Sequence, residues 1–186
     1  MSIFDLTRIA SEQTSEQAKP LLLLIDDEPQ NLKIMAYLLA DTFSVLTADS
    51  AEQAINQLDD LPPGDSIKVM ILDRQMPGVD TTTLFQQLNQ KLPRCVNVLL
   101  SELNAAKAEI SNALIFDRLN KPVDPKQLQQ CAKNALKAFD KRQRLISQID
   151  RLNLEIQEVS EQLAMKKLEL ESVYYALSKV AGSHQK

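Results

Sequence analysis

Charged and hydroxyl side chains stand at the ends of four short apolar runs, and together they have the composition of a phosphoryl site that uses a metal ion. Asp26 and Asp27 follow the first run, Asp73 the second, Ser101 the third and Lys121 the fourth. If these runs are parallel strands of one sheet, their carboxyl ends share the edge at which open α/β sheets bind ligands. Carboxylates bind a hard divalent cation, and an ammonium group binds phosphoryl oxygens.

The elements that must position these groups are short strands that alternate with helices. From residue 21 onward, apolar runs alternate with helical periodicity, which predicts βαβ units and a parallel sheet. The pattern predicts five strands that end in the apolar residues at 25, 48, 72, 100 and 119.

Helix starts are marked by local residue types. Pro29 suits the first turn of one helix, and Ser50 with Gln53 forms a capping box for the next. Asp80 and Asp124 are predicted N-caps of two more helices. A weak fifth helix is predicted around residues 105–110.

The motifs at the strand ends, in this order and spacing, resemble the receiver domain of response regulators in two-component signalling. The acidic pair, Asp73 with the Met76-Pro77-Gly78 run, Ser101 and Lys121-Pro122 carry the resemblance. Five strands and five helices in alternation predict the fold of that family, a flavodoxin-like, doubly wound α/β fold. Its five-stranded parallel sheet has the strand order 2-1-3-4-5.

The resemblance implies a role for each residue of the site. Asp73 is the implied phosphoacceptor, and Asp26, Asp27, Asp73 and the backbone carbonyl of Gln75 are the implied ligands of Mg²⁺. Lys121 pairs with Asp73 and later with the phosphoryl oxygens, while the Ser101 hydroxyl donates to the phosphoryl group. Each of these residues also has a structural interpretation, as a loop residue, helix cap or solvated lysine.

Two residues depart from the family pattern. Arg118 stands three positions before Lys121, where the family usually has an aromatic switch residue, and Glu102 follows Ser101 where a small residue is common. A long charged side chain cannot take the buried position of an aromatic ring. Transmission of the signal through that rotamer switch is therefore in doubt, and Arg118 is a candidate for a subunit interface.

The last helix continues far beyond the expected receiver domain. No proline follows Pro125, and no glycine lies between Pro125 and Gly182. Apolar residues in this segment recur at alternating steps of four and three. This heptad seam, sustained over about five heptads, indicates a coiled coil, and its Ile and Leu positions favour a parallel homodimer. A helix folded back on the chain or docked on another protein is the alternative. The seam residues are Leu145, Ile149, Leu152, Ile156, Val159, Leu163, Lys166, Leu170, Val173, Leu177 and Val180.

Domain boundaries follow from these patterns. We expect a polar N-terminal tail at residues 1–19, a receiver domain at 20–139, a coiled-coil helix at 140–181 that continues the last receiver helix, and a frayed C-terminus at 182–186.

Composition narrows the classes of function. The net charge of −4 gives no electrostatic case for nucleic-acid binding. No apolar run approaches the ~20 residues that span a bilayer, and the first residues do not form a secretory signal, so a cytoplasmic location is expected. Cys95 and Cys131 lack metal-ligand spacing and are expected to be apolar filler.

Two hypotheses about function remain. In the first, the chain is a response regulator that accepts a phosphoryl group from a histidine kinase or phosphotransfer protein and signals through a dimeric coiled coil to an output domain or partner. It would not be a multi-turnover enzyme. In the second, it is a receiver-like adaptor or scaffold that recruits a partner through the coiled coil, with phosphorylation optional.

Overall fold

The computed structural model describes residues 18–102 and 112–182, with side chains described through residue 178. The predicted helix at 105–110, most of the tail at 1–19, the side chain of Val180 and the end after Gly182 lie outside these residues. The described residues divide into two units, with the boundary between Asp140 and Lys141.

The first unit contains a five-stranded parallel sheet. Its strands are β1 (Leu21–Ile25), β2 (Ser44–Ala48), β3 (Ile67–Asp73), β4 (Val96–Glu102) and β5 (Ile115–Lys121). Their order in the sheet is β2-β1-β3-β4-β5, which confirms the predicted doubly wound topology.

Four α-helices connect or follow the strands in the described residues. They are α1 (Pro29–Leu39), α2 (Ala51–Asp59), α3 (Thr81–Lys91) and α4 (Pro125–Gly182), and a short 3₁₀ turn at Asn112–Leu114 precedes β5. None of these helices combines the length and the apolar content needed to cross a bilayer.

The predicted helix starts are confirmed. Asp80 accepts hydrogen bonds from the backbone N–H groups of Thr82 and Thr83 at 3.1 and 3.2 Å, and Ser50 Oγ accepts one from Gln53 N at 3.3 Å. In the capping box that was predicted at Ser50, Gln53 Oε1 reaches back to the N–H of Asp49 rather than of Ser50. The bonds to Asp80 and Ser50 satisfy backbone donors that the start of a helix leaves without partners, whereas the N–H of Asp49 precedes the N-cap.

Apolar side chains fill both faces of the sheet. One face packs against α1 and the first part of α4, where Leu128, Ala132 and Ala135 are fully buried, and the other packs against α2 and α3. Burial on both faces explains why β1 and β3 read as continuous apolar runs rather than alternating ones.

An edge of the sheet is formed by β2, and a side chain covers part of it. Gln57 of α2 donates from Nε2 to the carbonyl oxygen of Thr47 at 2.8 Å. The neighbouring carbonyl, that of Ala48, instead accepts the N–H of Asp26. Because successive carbonyls of a strand point to opposite sides, the oxygen of Thr47 faces the open edge.

Strands β4 and β5 extend further than the apolar runs predicted. Ser101 pairs with Asn120 and Glu102 pairs with Lys121, so these residues lie within the strands and not after them. Backbone pairing continues past the last apolar residue because the ladder needs only N–H and C=O groups.

The second unit is the part of α4 that begins at Lys141. Nine apolar seam residues here are each at least half exposed: Leu145, Ile149, Leu152, Ile156, Val159, Leu163, Leu170, Val173 and Leu177. Lys166 is exposed as well. The prediction of a long, continuous last helix is therefore confirmed. Its pairing with a second helix remains a prediction.

Candidate phosphoryl and metal site

Three carboxylates meet at the carboxyl ends of the two central strands. Asp26 and Asp27 follow β1, and Asp73 ends β3, the strand next to β1 in the sheet. One oxygen from each of the three lies within 4.8 Å of the others. Asp26 and Asp73 are buried, with exposed fractions of 0% and 1%, while Asp27 is partly exposed.

Lys121 lies between the two buried carboxylates. Its ammonium nitrogen donates to Oδ2 of Asp73 at 2.6 Å and to Oδ2 of Asp26 at 3.1 Å. Strand β5 delivers this side chain from two positions further along the sheet than β3. Sequence reasoning therefore identified the lysine whose ammonium group contacts both buried carboxylates, although it lies 95 positions from Asp26 in the chain.

Burial and charge act in opposite directions on these groups. Removal from water raises the pKa of Asp73, and the hydrogen bond and charge of Lys121, with a hydrogen bond from the N–H of Gln75, oppose that rise. Burial lowers the pKa of Lys121, but the two carboxylates more than reverse this, so its pKa lies above the ordinary value. The lysine therefore stays charged and partly neutralises the carboxylates.

Asn31 is a site residue that sequence reasoning missed. Its Nδ2 donates to Oδ1 of Asp26 at 3.3 Å, and the N–H of Glu28 donates to the same oxygen at 2.9 Å. With Lys121 on Oδ2, both oxygens of Asp26 are occupied and its orientation is held. The available signal was position, since Asn31 lies in the first turn of the helix that follows Asp26.

The remaining predicted residues differ in their burial and in their hydrogen bonds to the site. Gln75 is exposed, and its N–H donates to Oδ1 of Asp73 at 3.1 Å. Ser101 is buried, with 8% exposed, and the hydrogen bonds described above for Asp73 and Lys121 do not include its hydroxyl. Arg118 is partly buried in β5, and its N–H donates to Oδ1 of Asp117.

A cleft of about 670 Å³ opens beside the carboxylates. Asp26, Glu102 and Lys121 line it together with apolar residues of α1 and of the start of α4. A group in the cleft would therefore contact the lysine and the acidic residues as well as apolar side chains.

The donor set suits a magnesium ion. The three grouped side chains offer carboxylate oxygens, the hard ligands that Mg²⁺ prefers, with no sulfur or imidazole donor among them. The arrangement can hold a divalent cation and, with Lys121, offset the charge of a phosphoryl group next to Asp73.

Comparison with known proteins agrees with this chemistry. Residues 22–133 match the family model described as the response regulator receiver domain. An uncharacterized response regulatory protein of Vibrio vulnificus is 34% identical over 120 residues, which cover 62% of this chain and 47% of that protein. The sensor histidine kinase GacS of Pseudomonas protegens is 28% identical over 132 residues, which cover 66% of this chain and 14% of the kinase.

Solved structures give the same result for the fold. The crystal structure of a response regulator receiver domain protein from Clostridium thermocellum has a TM-score of 0.55 and 25% identity, and the match covers 68% of this chain and 98% of that one. The chain spans half or less of the length of the first curated relatives that it matches.

Proposed function

The chain belongs to the response regulator receiver domain family, and on this premise we propose that Asp73 accepts a phosphoryl group in a magnesium-dependent reaction. The observation that carries the proposal is the bridge from Lys121 to Asp73 and Asp26 beside Asp27. It brings the acceptor, the cation ligands and the positive charge together at one edge of the sheet.

Each residue of the site has a role in the proposed transfer. Asp27, Asp73 and the backbone carbonyl of Gln75 would hold Mg²⁺, with Asp26 supporting them, and the ion would supply positive charge against the phosphoryl oxygens. Lys121 would turn from Asp26 toward the phosphoryl oxygens. Ser101 would donate its hydroxyl to the phosphoryl group once it is formed.

The donor is proposed to be a phosphohistidine on a histidine kinase or phosphotransfer protein. A carboxylate oxygen of Asp73 attacks phosphorus, and the bond between phosphorus and the imidazole nitrogen breaks. The electron pair of that bond stays on the nitrogen, which takes up a proton, and Asp73 becomes an acyl phosphate. Water later attacks the phosphorus of the acyl phosphate, which releases inorganic phosphate and returns the carboxylate.

We further propose that a second copy of the chain covers the seam of α4 in a parallel coiled coil. The described apolar seam residues are each at least half exposed in the single chain, and they repeat at heptad spacing. A face of this length that is left in water loses the free energy of apolar burial. In the first heptads Ile149 and Ile156 at the a positions, with Leu145 and Leu152 at the d positions, have the residue order of parallel dimers.

The mass of the intact protein tests phosphoryl acceptance. We expect the wild type to gain one phosphoryl group with Mg²⁺ and acetyl phosphate, and Asp73→Asn to gain none. Chelation of Mg²⁺ should abolish the gain. Unmodified protein with both acetyl phosphate and a phosphorylated histidine-containing partner would contradict the proposal and favour the adaptor function, in which the coiled coil is the functional surface.

Cross-linking tests the direction of the coiled coil. A Leu177→Cys variant should form a disulfide between two chains, because equivalent seam positions face each other in a parallel pair. In an antiparallel pair the two copies of residue 177 lie at opposite ends. A monomeric Leu177→Cys protein that stays uncross-linked would contradict the dimer itself.

A further inference from the structure

Glu102 shares a face of the sheet with the site. It pairs with Lys121 in the ladder between β4 and β5, and Leu100 of the same strand pairs with Asp73. Paired residues of parallel strands point to the same face, and residues two apart on one strand do so as well. The side chains of Glu102, Lys121 and Asp73 therefore project from one face.

The same placement follows from the cleft. Glu102, Lys121 and Asp26 all line the opening of about 670 Å³ beside the site, and Leu100 lies in its wall. Glu102 is exposed, so its carboxylate keeps contact with water while it faces this opening. A charged group or ion in the cleft is therefore subject to the field of this carboxylate.

A count of charges shows what the extra carboxylate changes. Asp26, Asp27 and Asp73 with Lys121 carry two net negative charges, which one divalent cation would cancel. Glu102 and Glu28, which also line the cleft, add two further negative charges that the cation leaves uncancelled. A field of one sign in a cleft attracts ions of the opposite charge and repels those of the same charge.

We propose that Glu102 is a specificity-determining residue of the phosphoryl site, which strengthens cation binding and repels small anionic phosphodonors. The inference rests on the proposed function of Asp73. A phosphohistidine carried by a protein arrives with side chains that can offset its charge, whereas free acetyl phosphate brings two uncompensated negative charges at pH 7. Glu102 therefore favours transfer from a protein donor over adventitious small molecules.

Matched variants separate this local effect from the total charge of the chain. Glu102→Gln removes one negative charge at the cleft with little change of shape. Glu52→Gln makes the same change at an exposed position of α2 that is not among the residues lining the cleft. Both variants and the wild type are assayed with acetyl phosphate and with phosphoramidate, which carries about one negative charge less, at saturating Mg²⁺.

We expect Glu102→Gln to accept phosphate from acetyl phosphate about fivefold faster than the wild type at low ionic strength, and less than about twofold faster from phosphoramidate. High salt should reduce the difference. The dissociation constant for Mg²⁺, measured from amide shifts in an NMR titration without any phosphodonor, should rise about threefold. Glu52→Gln should match the wild type in every assay.

The outcomes distinguish the two proposals. If wild type and Glu102→Gln bind Mg²⁺ equally and react equally with both donors, the role of Glu102 is overturned and the function of Asp73 stands. If Mg²⁺ does not shift the amides around Asp73, and neither the small donors nor a phosphorylated histidine-containing partner phosphorylates the wild type, both proposals fail together. An equal effect of Glu52→Gln would also overturn the local role.

Discussion

The ammonium nitrogen of Lys121 lies 2.6 Å from Oδ2 of Asp73, although the two residues are 48 positions apart in the chain. Only 1% of Asp73 is exposed, while about a quarter of the Lys121 side chain reaches solvent. The lysine is thus the charge that makes burial of this aspartate tolerable, and this relationship leads to the first prediction.

Replacement of the lysine should destabilise the fold when no divalent cation is present. Lys121→Met leaves Asp73 and Asp26 without their positive partner, and we expect the free energy of unfolding at pH 7 to fall by about 2 kcal/mol. Urea unfolding in a chelator measures it, with Lys126→Met as the control at an exposed position. The double variant Lys121→Met/Asp73→Asn should recover part of the loss, and an unchanged loss would show that the charge of Asp73 is not its cause.

A second prediction concerns Lys166, which occupies a seam position among apolar residues. In a parallel pair two Lys166 side chains face each other, so their charges repel and no apolar area is buried. Lys166→Leu should tighten the dimer by at least about tenfold, a change that sedimentation equilibrium measures. Glu158→Leu, at an exposed position outside the seam, should change the dissociation constant far less. Equal effects of the two variants would contradict the heptad assignment.

A third prediction concerns the reactivity of a buried thiol. Cys131 donates from Sγ to Oδ2 of Asp117 at 3.4 Å, and burial together with the charge and hydrogen bond of this carboxylate raises the pKa of the thiol to about 12. At pH 8 we expect iodoacetamide to alkylate it roughly a thousandfold more slowly than in the unfolded chain.

Mass spectrometry of Cys95→Ala, which leaves Cys131 as the single cysteine, measures this rate. The rate should still be rising with pH at pH 10, where an ordinary cysteine is fully ionised. Asp117→Asn should speed the reaction because it removes the negative charge. A rate that levels off below pH 9 would contradict the raised pKa.

A fourth prediction concerns the cap of α3. Hydrogen bonds from the Thr83 side chain and from the N–H groups of Thr83 and Thr82 lower the pKa of Asp80. Its ionised form therefore stabilises the fold at pH values above the unfolded pKa of about 3.9, and this contribution is lost as the pH falls through the lower folded value.

Asp80→Asn keeps an acceptor at the cap and removes the charge, whereas Asp80→Ala removes both. At pH 7 the urea midpoint should fall from wild type to Asp80→Asn and further to Asp80→Ala. The gap between wild type and Asp80→Asn should narrow below pH 4. A gap that does not depend on pH would show that the carboxylate charge plays no part.

The sheet order and the meeting of Asp26, Asp73 and Lys121 could be predicted because apolar runs mark parallel strands and their ends share one edge. The ends of β4 and β5 could not, since the prediction stopped each strand at its last apolar residue while pairing continues through Glu102 and Lys121. Hydropathy reports burial of side chains and carries no information about backbone pairing.

Asn31 and the partner of Gln53 were missed for a related reason. Each depends on a side chain that reaches a few residues back along the chain, to Asp26 in one case and to the N–H of Asp49 in the other. Several backbone and side-chain groups compete for such a bond, and the chosen partner depends on the local path of the chain. The residue types indicate that a bond forms, but they do not select the partner.

The bond from Gln57 to the carbonyl oxygen of Thr47 has a consequence for colloidal behaviour. An exposed edge strand is a template for edge-to-edge association, through which sheets of separate molecules grow into aggregates. An incoming strand would have to break this bond and displace the side chain before it could pair with β2. At high protein concentration this amide therefore opposes the addition of a foreign strand to the β2 edge.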